Sequence, residues 1–505
     1  MSRRRTTKAP TTNAVPTKRR LETDTASQRD TKRVKARPTK VAKRTKPIKK
    51  RQSQAILNSV STSRLHTFTF GTGSSGELGL GQYRDRTYRP TPNEMLNSDS
   101  LGIIGLAAGG MHAAAITHDN RIFTWGGNDD FALGRDTTFE MKMQDIDDAD
   151  SDDSEDPELN PLEATPTAIP SRFFSSDVSF VQVVAGDSAT FALTADGLVY
   201  GWGTFRDSNG KLAFSIDQSG QIIQIQRSPQ LIPQLKDITQ LSAGTNYVLA
   251  LDTSGTVYSW GNNEQYQLGH RSLSRHRSLP LLPKLVSLPK KQIAFISAGA
   301  YHAFAIDKTG NVWAWGCNNF AQTGIRQNAG DDGAVVFPPQ KVESLGTGQI
   351  KLIQGGKHHS VAVSYNGKCL AWGKIDDGRT GIDTKSLPLD DASILVEYNK
   401  PRVLLTPTAL PISNCSFAAA GDDHSIALTS EGTAYSWGLN NSGQCGLGPN
   451  NYKRDPEEEV LTATVISCDA LRGKRISWAG AGGQYSIIAC EISPEPSEAH
   501  ANGTS

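Results

Sequence analysis

A motif that ends in Trp-Gly, or once in Phe-Gly, recurs along most of this chain, and its spacing limits the folds that the chain can adopt. In each copy except the first, an apolar-alternating run, a two-residue turn and a second alternating run lead to the final glycine, as in Ser425–Gly438. The turn is usually X-Gly, which predicts a β-hairpin because glycine supplies the positive φ of a tight turn. The seven endings are Phe68–Gly71, Phe123–Gly126, Tyr200–Gly203, Tyr258–Gly261, Trp313–Gly316, Leu370–Gly373 and Tyr435–Gly438.

The period of this motif predicts an all-β fold, a seven-bladed β-propeller. Successive closing glycines are 55, 77, 58, 55, 57 and 65 residues apart, and short strands at such a period without helical stripes are typical of propellers. The first copy supplies only the second half of the motif, whereas Gly482–Tyr485 begins a last copy that supplies only the first half. We therefore predict a propeller over residues 65–491, with the two ends of the chain sharing one blade and closing the ring.

The N-terminal residues 1–64 are predicted to form a disordered basic tail, because they lack hydrophobic periodicity. Met1–Arg51 holds 19 Lys and Arg against three acidic residues, a net charge of +16, so the rest of the chain carries about −14 of the total of +2 (2 − 16). The sequence therefore predicts a basic arm attached to an acidic body. Residues 492–505 are predicted to be a second disordered tail.

Three basic clusters in the N-terminal tail indicate nuclear import. Eleven residues separate the first two clusters, and that pattern resembles a bipartite import signal. The alternative is a solvated tail without a targeting signal. The number of clusters favours import together with binding to a polyanion such as DNA, and this binding would weaken steeply with salt. The clusters consist of Lys18, Arg19, Arg20, Lys32, Arg33, Lys35, Lys49, Lys50 and Arg51.

The 77-residue spacing indicates an insertion at about residues 139–163. Within it, Asp145–Glu158 contains nine acidic residues. We favour a solvated, disordered loop, since such a segment cannot bury enough apolar surface to fold. The alternative is an acidic mimic that competes with nucleic acid for the basic arm or binds histones.

Several other classes of protein are disfavoured. The six cysteines are scattered without a C-x-x-C pair, which argues against a zinc site or a disulfide framework and for a reducing compartment. No apolar run is long enough to span a bilayer. Gly71–Gly76 satisfies G-x-G-x-x-G, but no helix pattern follows it, so we reject a dinucleotide site. No nucleophile–base set stands apart from the repeats, and we expect no metal and no cofactor.

The third copy of the motif breaks the pattern. Where other copies continue with a Gly-rich stretch, this one continues as Thr204–Leu212, with Asn209-Gly210 as a hairpin turn and Phe205 and Leu212 able to pack at its base. A stiff charged hairpin of this kind could pry at a partner, whereas the alternative is merely a longer loop. The pattern alone does not decide between them.

Repeated aromatic residues and histidines are interpreted as scaffold. Aromatic residues locked to a repeat are expected to pack between blades, and they are Trp125, Trp202, Trp260, Trp315, Trp372 and Trp437. The repeat histidines are expected to hydrogen-bond within their own blades rather than to hold a metal, and they are His112, His302, His359 and His424. His358 lies one place before its repeat histidine, so strand alternation turns it the other way.

The seven copies, together with Ala107–His112, Ala132–Asp136 and above all Trp202–Gly210, resemble the regulator of chromosome condensation family. The resemblance covers about residues 65–490 and implies a propeller that holds the small GTPase Ran on one face and exchanges its guanine nucleotide. It further implies that a hairpin acts as a wedge against the nucleotide-binding site. The wedge consists of Phe205, Arg206, Asp207, Ser208, Asn209, Gly210, Lys211 and Leu212.

The resemblance also implies roles for single residues. Asp187 and His358 match residues that act in exchange, and His112 matches a residue of the same surface. Three positions depart from the family pattern but remain candidates for this face: Asn246 stands where Asp is frequent, His270 (beside Arg271) where Arg is usual, and Tyr485 where His is usual.

The expected function is therefore Ran guanine-nucleotide exchange on chromatin, which generates Ran-GTP in the nucleus for nucleocytoplasmic transport and mitosis without covalent chemistry. The expected partners are Ran, nuclear import receptors, and histones and DNA bound through the tail and a propeller face; a monomer without membrane contact is expected. The alternative is a chromatin-binding propeller scaffold that lacks exchange activity.

Overall fold

The computed structural model describes residues 56–97, 100–139, 158–271, 280–383, 385, 387, 389–449 and 455–492. The three basic clusters, most of the acidic insertion and the C-terminal tail after residue 492 lie outside the described residues. Residues 56–64, which composition assigns to the tail, contact the propeller: the Asn58 N–H donates to the Ala195 carbonyl (3.0 Å) and its Nδ2 donates to the Ile238 carbonyl (2.9 Å). The chain thus joins the propeller before residue 65.

Antiparallel sheets of four strands, the blades, follow one another around a ring. The chain enters with β1 (Leu65–Thr72) and β2 (Arg86–Pro92). Blade 1 then contains β3 (Ile103–Ala108), β4 (His112–Thr117), β5 (Ile122–Gly126) and β6 (Thr167–Ala168). Blade 2 and its extensions contain β7 (Phe180–Ala185), β8 (Ala189–Thr194), β9 (Val199–Gly203), β10 (Phe205–Arg206), β11 (Leu212–Ala213), β12 (Ser215–Ile216), β13 (Ile222–Ile223) and β14 (Gln226–Leu231).

The next three blades repeat this plan. Blade 3 contains β15 (Ile238–Ala243), β16 (Tyr247–Asp252), β17 (Val257–Gly261) and β18 (Lys284–Leu285). Blade 4 contains β19 (Ile293–Ala298), β20 (His302–Asp307), β21 (Val312–Cys317) and β22 (Val335–Lys341). Blade 5 has a fifth strand and contains β23 (Ile350–Gly355), β24 (His359–Ser364), β25 (Cys369–Lys374), β26 (Ile394–Glu397) and β27 (Lys400–Ala409).

The last two blades complete a ring of seven. Blade 6 contains β28 (Cys415–Ala420), β29 (His424–Thr429), β30 (Ala434–Leu439) and β31 (Glu459–Val465), and blade 7 joins β32 (Ile476–Ala481) and β33 (Tyr485–Glu491) to β1 and β2. Helical segments among the described residues are α1 (Pro161–Ala164) and the 3₁₀ turns Ser171–Phe173, Glu343–Leu345, Asp376–Gly378 and Asp469–Leu471. No helix in this part of the chain has the length and apolar composition to cross a membrane.

The two ends of the chain close the ring, as the half-motifs predict. Strand β1 pairs with β33 over seven residue pairs, from Leu65 opposite Glu491 to Gly71 opposite Tyr485, and β2 pairs with the other edge of β1. Blade 7 is therefore built from both ends of the sequence. The pairing joins residues more than 400 positions apart, so it links the first and last strands of the propeller.

The core lies between neighbouring blades rather than inside one blade. The buried apolar residues fall into seven clusters, each drawn from two adjacent blades. The repeat tryptophans are buried in these clusters, which confirms their expected role. Several of them also donate the indole N–H to a carbonyl of the preceding blade, as Trp437 does to Arg379 (3.0 Å). Each blade is thus held in position by its neighbours.

The repeat histidines form hydrogen bonds between blades, not within them as the sequence led us to expect. His302 Nε2 lies 2.8 Å from the Ser360 hydroxyl of blade 5, and that hydroxyl donates to the Gln322 carbonyl (2.8 Å). Because a hydroxyl has one proton to donate, His302 Nε2 must carry the proton of the first bond. Burial lowers the pKa of His302 to about 3, so the histidine is a neutral, structural donor.

Replacement of an interblade tryptophan should destabilise the whole ring. We expect Trp437→Ala to lower the free energy of unfolding by about 3–5 kcal/mol, through lost apolar burial and a cavity. Urea denaturation followed by far-UV circular dichroism measures this. The matched control is Trp478→Ala, since Trp478 is partly exposed at the channel; equal losses in the two variants would contradict the account.

Candidate functional site

The loops that join the first and second strands of the blades meet around one end of the central channel. Each loop has a Gly-x-x-(His, Tyr or Ala) tetrapeptide, and we call its second residues the throat: Gly110, Asp187, Thr245, Ala300, Lys357, Asp422 and Gly483. Backbone hydrogen bonds link neighbours around it, as from the Asp187 N–H to the Thr245 carbonyl (3.0 Å). The cavity here is about 80 Å³, whereas small-molecule pockets measure about 300–1,000 Å³. The throat is therefore too small to hold a nucleotide.

Three charged side chains form a group at the throat. Burial, and secondly the negative charge of Asp422, raise the pKa of Asp187 to about 7. Gly110 leaves room for this carboxyl, since a Cβ there would lie 2.4 Å from Asp187 Oδ1. Lys357 Nζ is 3.5 Å from Asp422 Oδ2, and the Asp422 carboxylate raises the pKa of Lys357. Near neutral pH, Asp187 is thus partly protonated, and the approach of another charged group changes its charge.

His358 lies beside two aromatic rings on the same face of the propeller, which we call the throat face. Its ring centroid is 5.0 Å from that of Phe320 and 6.5 Å from that of Tyr301. Burial, followed by the charges of Arg379 and Lys374, lowers the pKa of His358 to about 4, so the imidazole is neutral at pH 7. Its Nδ1 is buried and has no hydrogen-bond partner within the described part of the chain. A partner on this face can therefore contact only the exposed remainder of the imidazole.

The hairpin of residues 205–212 rises from the throat face, because β9 ends there: Gly203 pairs with Ala189, two residues after Asp187. Its turn is fixed by Asp207, whose Oδ1 accepts the backbone N–H groups of Asn209 (3.0 Å) and Lys211 (2.9 Å). At its base, Phe205 is buried. Asp207, which belongs to the expected wedge, is mostly buried and bonded to its own turn.

The first strand of this hairpin is braced from three sides. The Arg206 N–H donates to Asn246 Oδ1 (2.8 Å), and the Arg206 carbonyl accepts from Asn262 Nδ2 (3.1 Å). The Arg206 guanidinium is 2.6 Å from Asp130 Oδ2 of the blade 1 loop. Asn246, expected on the partner-binding face as a direct contact, therefore supports the hairpin.

The turn of the hairpin is held from blade 3. Glu264 accepts from both the Ser208 N–H (2.9 Å) and the Ser208 hydroxyl (2.6 Å). The side chains of Asn209 and Lys211 are exposed at the tip. The hairpin is accordingly a rigid projection with a small polar tip, so binding through it costs little conformational entropy.

Three residues that the resemblance placed on the partner-binding face have side chains buried in the propeller. The Tyr485 hydroxyl donates to the His112 carbonyl (2.7 Å) across the interface of blades 7 and 1. His112 is itself fully buried, as are the other repeat histidines, and His270 is 5% exposed. Because a buried side chain cannot contact a protein partner, their role is corrected to scaffold packing. Arg271, beside His270, is exposed.

Sequence reasoning missed several residues that share the throat face with Asp187 and His358, namely Lys357, Asp422, Tyr301 and Phe320. A signal for three of them does exist. The glycine and the last residue of each tetrapeptide serve the scaffold, so the two middle positions are free to vary. In blades 4, 5 and 6 those positions are Ala300-Tyr301, Lys357-His358 and Asp422-Asp423. Within the described residues, no group of three or more His, Cys, Asp or Glu side chains is arranged to hold a metal.

The ring of blades and the elaborated throat face define a β-propeller protein with a specialised surface. The family model of the RCC1-like domain matches residues 66–488. The chain belongs to this RCC1-like domain family.

Two curated relatives cover almost the full length of the chain. Protein pim1 of Schizosaccharomyces pombe is 37% identical over 97% of this chain and 87% of its own. The guanine nucleotide exchange factor SRM1 of Saccharomyces cerevisiae is 35% identical over 91% of this chain and 96% of its own.

Two solved structures share the fold. Prp20p of Saccharomyces cerevisiae, described with its binding properties to Gsp1p and histones, is 34% identical, covers 86% of this chain and 94% of its own, and has a TM-score of 0.76. Yeast RCC1 (Prp20) in complex with Kap60 is 32% identical, with coverage of 90% and 98% and a TM-score of 0.76.

The charge of Asp187 makes a testable prediction about stability. Its pKa is raised from an ordinary value of about 3.9 to about 7. The folded state thus binds this proton more tightly than the unfolded state does. The contribution of Asp187 to the free energy of unfolding is complete below its ordinary pKa, and it is lost as the pH rises towards its pKa in the folded protein. We therefore expect Asp187→Asn to raise the Tm relative to the unsubstituted protein at about pH 8, and to raise it less at about pH 5.

Asp423→Asn is the control of opposite sign. Burial raises the pKa of Asp423, but the Arg379 guanidinium, 2.8 Å away, outweighs burial and holds this pKa below its ordinary value. Asp423→Asn should therefore lower the Tm at about pH 8. Thermal unfolding at both pH values measures the two variants, and shifts of the same sign would contradict the assigned environments.

Proposed function

We propose that the protein is the guanine-nucleotide exchange factor of the small GTPase Ran. The observation that carries the proposal is the braced hairpin of residues 205–212, which projects from the face that also presents Asp187 and His358. The exchange activity that names the Saccharomyces cerevisiae relative supports it. The similarity to Prp20p, a protein with binding properties to Gsp1p and histones, supports it as well.

The mechanism is non-covalent, so the protein is not an enzyme in the bond-making sense. A GTPase holds GDP through backbone N–H groups around the phosphates and through Mg²⁺. An exchange factor must bind the nucleotide-free state more tightly than the loaded state. A rigid hairpin performs this task because it keeps its position at the nucleotide-binding site. There it occupies the space that the phosphate-binding loops of the GTPase need.

The throat face then stabilises the open GTPase. Asp187 ionises when a cationic group of the GTPase approaches, and it can hold a group that otherwise serves the phosphates. His358 is neutral at pH 7 and partly exposed, so it offers the GTPase an uncharged contact. Because these contacts favour the nucleotide-free state and not one nucleotide, exchange is accelerated in both directions and the free GTP:GDP ratio sets the product.

The cellular setting follows from the charged tail. Its basic clusters suit nuclear import receptors and the DNA phosphates or histones of chromatin, where the protein would generate Ran-GTP as a monomer for nucleocytoplasmic transport and mitosis. The yeast RCC1 complex with Kap60 supports the import assignment. The propeller forms the exchange domain, and the basic and C-terminal segments are its tails.

The alternative, a chromatin scaffold without exchange, rested partly on three departures from the family pattern. Asn246 retains a role by bracing Arg206, while His270 and Tyr485 are buried. Since none of the three is a lost surface contact, exchange is the favoured function.

Release of fluorescent GDP from Ran tests the proposal. The unsubstituted protein should accelerate release catalytically, and no acceleration would overturn the proposal. Asp207→Ala should lower kcat/KM by about tenfold to a hundredfold, because a displaced contact of about 1 Å costs that much.

A matched control comes from the next hairpin. Asp217 accepts the backbone N–H groups of Ser219 (2.8 Å) and Gln221 (2.9 Å), which is the arrangement of Asp207 in its own turn. Asp217→Ala should leave GDP release unchanged. Equal losses in the two variants would show that the wedge hairpin has no special role.

A further inference from the structure

Blade 5 carries a projection that the repeat does not require. The ladder between β25 and β27 ends where Lys374 pairs with Val403, and beyond that point β26 and the start of β27 continue as a hairpin. We call residues 394–405 the arm. The arm lies on the throat face, because β25 reaches it at the repeat glycine Gly373, the counterpart of Gly203 before the wedge hairpin.

The base of the arm is anchored in the core. Ile394 is 7% exposed and, with Leu404, belongs to the cluster between blades 4 and 5. The Leu395 side chain packs on Gly330 of blade 4, where a Cβ would lie 2.5 Å from Leu395 Cδ1. The Arg402 Nη1 atom is 2.8 Å from Asp376 Oδ2. The arm therefore holds a fixed position.

The tip of the arm is a two-residue turn, Tyr398-Asn399, with φ values of 52° and 61°. Asn and Gly tolerate this left-handed region, whereas an aromatic residue there is uncommon and strained by about 1–3 kcal/mol. Tyr398 is also 90% exposed. The tyrosine thus contributes neither burial nor a relaxed turn to the fold, and such a cost is typical of a residue kept for binding.

The arm and the wedge hairpin stand on opposite sides of the throat. The wedge belongs to blade 2 and the arm to blade 5, three blades further around a ring of seven. His358 of blade 5 and Tyr301 of blade 4 lie on the arm side of the throat face. A partner seated on the wedge and the throat is therefore flanked by the arm.

We propose that the arm is a second binding element for the GTPase, with Tyr398 as an anchor that enters an apolar recess on the GTPase surface. This inference rests on the proposed exchange function and extends it. Tyrosine is suited to the role, since exposed aromatic side chains with a polar end are frequent hot spots of protein interfaces. The arm stands away from the wedge, so it grips the loaded and nucleotide-free GTPase alike.

This placement predicts a specific kinetic signature. A contact that is equally strong in both states lowers KM without raising kcat. Tyr398→Ala should therefore raise the KM for Ran-GDP by about tenfold, in the range of an interface hot spot, and leave kcat at saturating Ran unchanged. Tyr398→Asn should raise the KM as much as Tyr398→Ala does. Its Tm should equal or exceed that of the unsubstituted protein, since asparagine relaxes the turn. This variant therefore separates a loss of binding from a loss of folding.

Tyr365→Ala is the matched control. Tyr365 is 72% exposed and lies in the turn between β24 and β25, at the opposite end of the same blade. It should leave KM, kcat and histone binding unchanged. The assays are GDP release over a range of Ran-GDP concentrations and binding to reconstituted nucleosomes.

The outcomes separate the arm from the exchange function. An unsubstituted protein that releases GDP, together with Tyr398 variants of unchanged KM, would overturn the arm proposal and leave the exchange proposal standing. Loss of nucleosome binding with unchanged KM would likewise overturn it and assign the arm to chromatin. An unsubstituted protein that releases no GDP would overturn both proposals.

Discussion

Pairing of β1 with β33 holds the propeller closed, and every blade relies on that closure. A seven-bladed ring has no independent core in any one blade, because each apolar cluster is shared by two neighbours. The first and last strands must therefore meet before blades 6, 7 and 1 are complete. Closure also fixes the throat, whose loops are joined by hydrogen bonds from blade to blade. A rigid face is thus a consequence of closure, and both projections take their positions from it.

Function concentrates where the repeat permits or requires variation. The tryptophans, the repeat histidines and the tetrapeptide glycines are committed to packing, so they cannot change without loss of the ring. The two middle positions of each tetrapeptide are free of this demand, and they supply Asp187 and His358. The strands' continuations are also free, and they supply the wedge hairpin and the arm. Within each repeat, therefore, some positions stabilise the ring and others are free to bind a partner.

Periodicity predicted the blades, the interblade tryptophans and the closure, since these depend on local pattern and on the half-motifs at the ends. It did not predict that the Tyr485 hydroxyl bonds to the His112 carbonyl, or that the charges of Asp187 and Asp422 meet, because both depend on contacts between distant blades. The resemblance supplied the wedge, but its bracing by Asn246 and Glu264 required the structure. The arm left only the 65-residue spacing before Gly438 as its trace in the sequence.

The throat face is proposed to prefer a GTPase that holds no nucleotide, and linkage makes this preference measurable. If the protein and GDP weaken each other's binding to Ran, the effect must be reciprocal. Titration of GDP into a preformed complex with nucleotide-free Ran measures it directly. We expect a tight complex without nucleotide that dissociates as GDP is added. Equal affinity for nucleotide-free and GDP-loaded Ran would contradict it.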